Sequence, residues 1–139
     1  MPLPVKGMRD RAGTAWLTLG ELAQALGARV NGDAGIRVSG LEHPARATAD
    51  QLALAFEPAA LKHLDQTKAR AAVLAGDAPP EAAARLAGWL TVDRGRVALS
   101  TLTRLFAPPV AIAPGIHPQA VVDPAATVDP SASVGALAY

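Results

Sequence analysis

The stretch IHPQAVVDPAATVDPSASVGALAY, residues 116–139, carries a strict repeat of six residues. Side chains two residues apart on an extended strand lie on the same side, so an aliphatic residue and the alanine two positions before it can both point inward. Proline cannot donate to a strand ladder, and its regular placement indicates corners between short strands. A short strict period is typical of a stacked β-solenoid. The repeated positions are the aliphatic Ile116, Val122, Val128 and Val134, the small Ala120, Ala126, Ala132 and Ala138, and Pro118, Pro124 and Pro130.

Upstream of this hexapeptide array, residues 17–107 are predicted to form a small α/β domain, because helix and strand signals alternate there. The first helix has the clearest signals: Thr18 and Glu21 have capping-box spacing, and Gly27 is a left-handed stop. Strands are predicted over 28–30, 36–41, 52–56, 71–75 and 89–92, and further helices over 58–64, 80–87 and 97–106. In the last helix, Leu99, Leu102, Leu105 and Phe106 are expected to face inward.

The remaining segments complete the predicted organisation. Residues 1–16 are interpreted as a flexible leader and not as a secretory signal, because no apolar segment follows their basic residues. Residues 108–115 are interpreted as a proline-rich linker. Residues 116–139 supply about one and a third coils of a solenoid. Since a coil cannot cover its own apolar face without neighbours, the chain is expected to be the truncated start of a longer protein.

Composition limits the kinds of partner. The chain has 139 residues and a net charge of +1 without long runs of either sign, which argues against nucleic acid or an anionic membrane as the main partner. The absence of cysteine excludes disulfides and thiolate metal sites. No stretch approaches the roughly 18 consecutive apolar residues of a transmembrane helix. A cytoplasmic location is expected.

Several segments together resemble one enzyme family, the UDP-3-O-(3-hydroxyacyl)glucosamine N-acyltransferases. The resemblance covers residues 17–139, and the order and spacing of the segments carry it. The segments are Gly20-Glu21-Leu22-Ala23, Gly27 to Asp33, Val38-Ser39-Gly40-Leu41, Ala47 to Phe56, Ala71-Ala72-Val73-Leu74, and the hexapeptide array.

The resemblance implies a fold, an activity and partners. It implies a nucleotide-recognition α/β domain followed by the first turns of a left-handed parallel β-helix. It implies a bacterial cytoplasmic homotrimer of lipid A biosynthesis that transfers a 3-hydroxyacyl group from acyl carrier protein to the 2-amino group of a UDP-linked glucosamine. No further cofactor is implied. The family's catalytic histidine lies deeper in the β-helix than this chain extends, so we assign no catalytic residue here and expect the chain alone to be inactive.

Phe56 is the predicted substrate-binding residue, because the resemblance places an aromatic face for the uracil ring there. Stacking and burial of such a ring contribute on the order of 1–3 kcal/mol. The alternative is a core phenylalanine that closes a strand. The family's asparagine and tyrosine beyond this position are absent from the segment Glu57 to Lys62. UDP binding is therefore expected in the millimolar range, about 4 kcal/mol.

Other polar residues are interpreted structurally. His43, His63 and His117 lie in different elements without an orienting partner in sequence, which argues against general-base catalysis. No spacing of ligands predicts a metal site. Asp123 and Asp129 precede prolines and are expected to bond nearby backbone N–H groups. Lys62 and Lys68 are within plausible reach of a pyrophosphate, but solvated helix charges are the commoner role.

Two other functions are compatible with the sequence. One is a non-catalytic binding or assembly domain that has lost uridine affinity. The other is the UDP-sugar-binding N-terminal domain of a Mur-type ligase, against which the hexapeptide array argues.

Overall fold

A computed structural model describes residues 8–11, 13–108 and 112–139, which fall in two compact units, Met1–Pro108 and Pro109–Tyr139. The first unit holds eight strands and four helices among its described residues. The strands are β1 (Met8–Arg9), β2 (Ala15–Thr18), β3 (Arg29–Gly32), β4 (Arg37–Val38), β5 (Gly40–Glu42), β6 (Gln51–Ala55), β7 (Ala71–Ala75) and β8 (Gly88–Val92), and the helices are α1 (Leu19–Leu26), α2 (Pro58–Leu61), α3 (Pro80–Arg85) and α4 (Gly95–Phe106).

A five-stranded, mostly parallel sheet forms the centre of this unit, in the order β3-β8-β7-β6-β5. The strands β5 to β8 run parallel, and β3 joins β8 as an antiparallel edge. The continuous apolar run Ala71–Ala75 becomes the central strand, with its first four residues fully buried. Such a run is typical of a parallel strand covered on both faces. The predicted mixed α/β class is therefore confirmed.

The two faces of the sheet bury different side chains. On one face Leu52, Val73 and Leu90 pack against α1 and α4. On the other, the smaller Ala53 and Ala72 lie in a second cluster with residues of α2 and α3. Because successive strand residues point to opposite faces, the three strands β6, β7 and β8 contribute to both clusters.

Helix α1 begins and ends as its sequence signals predict. The Thr18 hydroxyl accepts a hydrogen bond from the Glu21 backbone N–H at 3.1 Å, and the Glu21 carboxylate accepts from the Thr18 N–H at 2.8 Å. Gly27 ends the helix with φ of 63°. This reciprocal pair satisfies two backbone donors that the first turn leaves without intrahelical partners.

The strand β1 and the first two residues of β2 lie within the segment predicted as a flexible leader. β1 pairs with β2, and β2 pairs with β4, in a three-stranded antiparallel ribbon. Ala15 is only 6% exposed and Leu17 is fully buried. The folded unit thus begins before residue 17, whereas the predicted leader residues 1–7 lie outside the described part of the chain.

Two further expectations differ from the structure. The single strand predicted over 36–41 is two strands, because β4 joins the ribbon while β5 joins the central sheet. Leu99, expected to face inward, is 37% exposed, whereas Leu102 on the same helix is fully buried. The helical period places Ala98 and Leu102 on the core side, and Leu99 lies at its border.

The second unit follows the six-residue period in its turns. Within it, β9 (Gly115–Ile116) and β10 (Ser133–Val134) pair in parallel, with partners eighteen residues apart. A backbone hydrogen bond between residues three positions apart recurs in each repeat, for example from the Ala126 N–H to the Asp123 carbonyl at 2.9 Å. The pairing of β9 with β10 is the only strand pairing among the described residues of this unit, and no β-helix is seen. Ile116 is 49% exposed.

Candidate functional site

The carboxyl ends of the parallel strands form one edge of the central sheet. In open α/β sheets, ligands bind in the crevice outside this edge. Phe56 is the first residue after β6, and His43 is the first residue after β5. Phe56, the residue predicted to stack on uracil, therefore lies at the edge where a ligand is expected.

The Phe56 side chain is partly buried and packs against the core cluster beneath α1 and α4. Its closest constraint is Gly95, the first residue of α4: a Cβ atom built there would lie 2.8 Å from Phe56 Cγ and 2.9 Å from its Cβ. The missing side chain of Gly95 is what lets the ring lie against the helix. Phe56 thus combines a core contact with remaining exposure, and the contacts agree with either role predicted for it.

A cleft of about 310 Å³ opens at the carboxyl end of β8, beside the end of α1 and the start of α4. Asp93 and Arg94 line it, together with Gly27 and Val97, whereas Phe56 does not. The cleft and the phenylalanine are linked through the chain, because Arg94 directly precedes Gly95.

His43 and His63 come together although they belong to different elements. Their ring centroids are 5.3 Å apart in an edge-to-face arrangement. His43 Nδ1 accepts a hydrogen bond from the Ala45 N–H at 3.2 Å, which leaves Nε2 as the nitrogen available to other partners. No local pattern in the sequence indicates this pair, because the packing of the loop after β5 against the turn after α2 creates it. No group of three metal-binding side chains occurs in the described residues.

Glu42, the last residue of β5, holds the backbone next to this pair. Its carboxylate accepts from the His43 N–H at 2.7 Å and from the Arg46 guanidinium at 2.9 Å. The backbone bond, followed by the bond from Arg46, holds the pKa of the Glu42 carboxyl below its usual value. Through these two bonds the carboxylate holds the start of the loop.

The other polar residues singled out in the sequence lie elsewhere. Lys62 lines a separate cleft between α2 and α3, and Lys68 is exposed. Asp123 and Asp129 each accept a bond from the N–H two residues on, at 2.7 and 2.8 Å. His117, at the equivalent position of an earlier repeat, does the same through Nδ1. The turn interpretation of both aspartates is confirmed.

Across the described residues, every helix is too short or too polar to span a bilayer.

Comparison with known proteins identifies relatives of one kind. The chain is 46% identical over 107 residues to the UDP-3-O-acylglucosamine N-acyltransferase of Paracoccus denitrificans, covering 77% of this chain and 29% of that protein. It is 38% identical over 106 residues to the enzyme of that name from Ruegeria pomeroyi, covering 76% and 29%. With the enzyme of that name from Pseudomonas paraeruginosa it shares 40% identity over 120 residues, 86% of this chain and 33% of that protein. No family model matches the chain.

The matched part is thus about 29% of the length of the first of these curated relatives. The resemblance found in the sequence segments and the identity to these proteins agree. The chain is homologous to the N-terminal part of the UDP-3-O-acylglucosamine N-acyltransferases.

Proposed function

We propose that this chain is the N-terminal substrate-recognition part of a UDP-3-O-(3-hydroxyacyl)glucosamine N-acyltransferase, and that Phe56 stacks on the uracil ring of the UDP-sugar. The observation that carries the proposal is the position of Phe56 at the carboxyl edge of the parallel sheet, against Gly95. An aromatic residue placed there offers a ring face at the end of the sheet where ligands bind.

The wider role follows the relatives' activity. The complete protein would transfer a 3-hydroxyacyl group from acyl carrier protein to the glucosamine amino group in lipid A biosynthesis, as a cytoplasmic homotrimer. Residues 17–107 would recognise the nucleotide, and residues 108–115 would link them to the array. The eighteen-residue pairing of β9 with β10 supports the proposal that residues 116–139 begin a left-handed β-helix, since three six-residue repeats make one coil.

A second candidate is a non-catalytic binding or assembly domain without uridine affinity. The observation that favours it is the segment Glu57 to Lys62, which lacks the asparagine and tyrosine of the resembling family and instead forms the short helix α2. The loss of even one hydrogen-bonding partner costs about 1 kcal/mol, or roughly fivefold in affinity.

An NMR titration with UDP tests the first candidate against the second. We expect shifts of the amides around Phe56 and at the start of α4, saturating in the millimolar range. The Phe56→Ala variant should lose them, because the stacking face is removed.

The matched control is Phe106→Ala, which removes the other phenylalanine packed against the same core cluster. It should lose a comparable amount of packing and keep the UDP response. Equal responses in wild type and Phe56→Ala would refute the stacking role, and the absence of any response in the folded wild type would favour the non-catalytic domain.

A further inference from the structure

The antiparallel ribbon of β1, β2 and β4 has one face turned away from the core. Along β2, Ala15 and Leu17 are buried, whereas Trp16 and Thr18 between and after them are only partly buried. Thr18 pairs with Arg37 across the ribbon, so Trp16 is the diagonal neighbour of Arg37 on this outer face. The Arg37 guanidinium carbon lies 5.8 Å from the centroid of the Trp16 ring, within the range of a cation–π contact.

The indole of Trp16 is held in a fixed orientation. Its Nε1–H donates to the Asp10 carboxylate at 3.2 Å, and the same carboxylate accepts from the Thr14 N–H at 2.9 Å. Asp10 thus links the turn between β1 and β2 to the aromatic ring. A ring positioned in this way needs little ordering when a ligand binds.

Two more arginines, Arg9 and Arg11, line the same cleft as the Trp16 ring. The Arg9 guanidinium donates to the Gly13 carbonyl at 2.7 Å and to the Ala107 carbonyl at 3.2 Å, which fixes it while leaving three of its five donors. Arg11 is exposed, and no ion pair of Arg9, Arg11 or Arg37 with a carboxylate is present among residues 8–11, 13–108 and 112–139.

Together these residues line a cleft of about 540 Å³, bounded by Arg9, Asp10, Arg11, Trp16 and Arg37. Three arginines and one aspartate line it, so these described residues give the cleft net positive charge. Arginine matches the planar geometry of carboxylate and phosphate groups, and the indole supplies an apolar face beside them. The volume is typical of small-ligand pockets, which favours a small ligand as the occupant.

We propose that this arginine cleft is a second binding site, separate from the sheet edge at Phe56, for a small ligand in which a flat ring carries a phosphate or carboxylate group. The ring lies against Trp16, and the anionic group is bound by the guanidinium groups of Arg37 and Arg11. The site lies on the ribbon, whereas Phe56 belongs to the central sheet.

Fluorescence measures the occupancy of this cleft directly. Trp89 is the only other tryptophan, so a Trp89→Phe background leaves Trp16 as the single reporter. Titration with phenyl phosphate should change the emission saturably, and inorganic phosphate or phenol alone should bind at least about tenfold more weakly, because each lacks one of the two contacts. Benzoate in place of phenyl phosphate shows whether the carboxylate or the phosphate is preferred.

The variants separate this site from a general charge effect. Arg37→Gln and Arg11→Gln should each lower the affinity for phenyl phosphate about tenfold, which is the effect of losing one charge-assisted hydrogen bond. The control Arg85→Gln replaces an exposed arginine on α3 and should leave the affinity for phenyl phosphate unchanged. Phe56→Ala should also leave this affinity unchanged.

Several results would overturn the proposal. Phenol binding as tightly as phenyl phosphate would show that the cleft binds ligands through its apolar surface alone. Equal effects of Arg37→Gln and Arg85→Gln would show non-specific attraction, and loss of the response in Phe56→Ala would place the ligand at the sheet edge. Saturation by a polyglutamate peptide or by anionic vesicles, with no response to phenyl phosphate or benzoate, would assign the cleft to a macromolecular partner.

Discussion

Replacement of Gly95 by alanine tests whether the Phe56 ring is fixed by its contact with α4. The new Cβ would lie 2.8 Å from Phe56 Cγ and 2.9 Å from Cβ and Cδ1. Carbon atoms in contact are separated by about 3.5–4.0 Å, so the ring must move by roughly 1 Å or the helix must shift. The atoms involved are the base of the side chain and not its flexible end, which makes relief by a small rotation difficult.

Two opposing terms set the magnitude. Overpacking a well-filled site costs about 1–3 kcal/mol, whereas glycine to alanine in a helix contributes at most about 1 kcal/mol of stability. We expect a net loss of about 1–2 kcal/mol in the free energy of unfolding. For a domain of this size that corresponds to a fall in Tm of about 5–10 °C. The matched control is Gly20→Ala in α1, where the nearest atom would be 3.5 Å away and the change should be neutral or stabilising.

Thermal unfolding of a double-mutant cycle gives the decisive comparison. In a Phe56→Ala background the close contacts with Cγ and Cδ1 are gone, whereas the contact with Cβ at 2.9 Å remains and the truncated side chain leaves room for the helix to shift. Gly95→Ala should therefore lower the Tm less in this background than in the wild type. If Gly95→Ala lowers the Tm equally in both, the constraint lies elsewhere and the reasoning about the ring position is wrong.

Two further predictions concern the frame around the site. Gly32→Ala places a Cβ 2.5 Å from a backbone oxygen of the residue before β8, at a φ of +81°, and should lower the free energy of unfolding by about 3 kcal/mol or more through clash and left-handed strain together. Gly76→Ala has a φ of +98° and open space around the new Cβ, so it should lose only about 1–2 kcal/mol to left-handed strain. Equal denaturant midpoints of the two variants would contradict this ranking. Since the folded-state pKa of Glu42 is lowered, its contribution to stability is present above the ordinary pKa and is lost as the pH falls through the lowered one. A carboxyl NMR titration should show the lowered pKa of Glu42. Arg46→Gln should return this pKa only in part towards its ordinary value, because the bond from the His43 N–H is the larger cause. A full return to the ordinary value would show that the backbone bond is not the main cause of the lowered pKa.

Local signals in the sequence predicted the elements whose partners are close along the chain. The capping box of Thr18 and Glu21, and the stop at Gly27, depend only on neighbouring residues, and both ends of α1 are confirmed. The apolar run Ala71–Ala75 was predicted to the residue, because a central strand must be apolar on both faces.

Properties that depend on distant partners were missed. Alternation through Val38 and Leu41 predicts an extended chain, but it does not show that the two residues join different sheets. The change of sheet occurs at Ser39, whose N–H donates to the carbonyl of the distant Asp50. The same holds for the site. The sequence, through the family resemblance, indicated Phe56, but neither its contact with Gly95 nor the cleft around Trp16 follows from any local pattern.

The eighteen-residue pairing of β9 with β10 sets a rule for changes in chain length within the array. An insertion of six or twelve residues between the two strands would keep the aliphatic side chains in phase but would put a different repeat opposite Ile116. An insertion of eighteen residues adds three repeats, the full spacing between the paired partners Ile116 and Val134. A length that is not a multiple of six would break the phase that the turns at Asp123 and Asp129 maintain. Natural or engineered length variants that keep this unit folded should therefore differ in steps of eighteen residues.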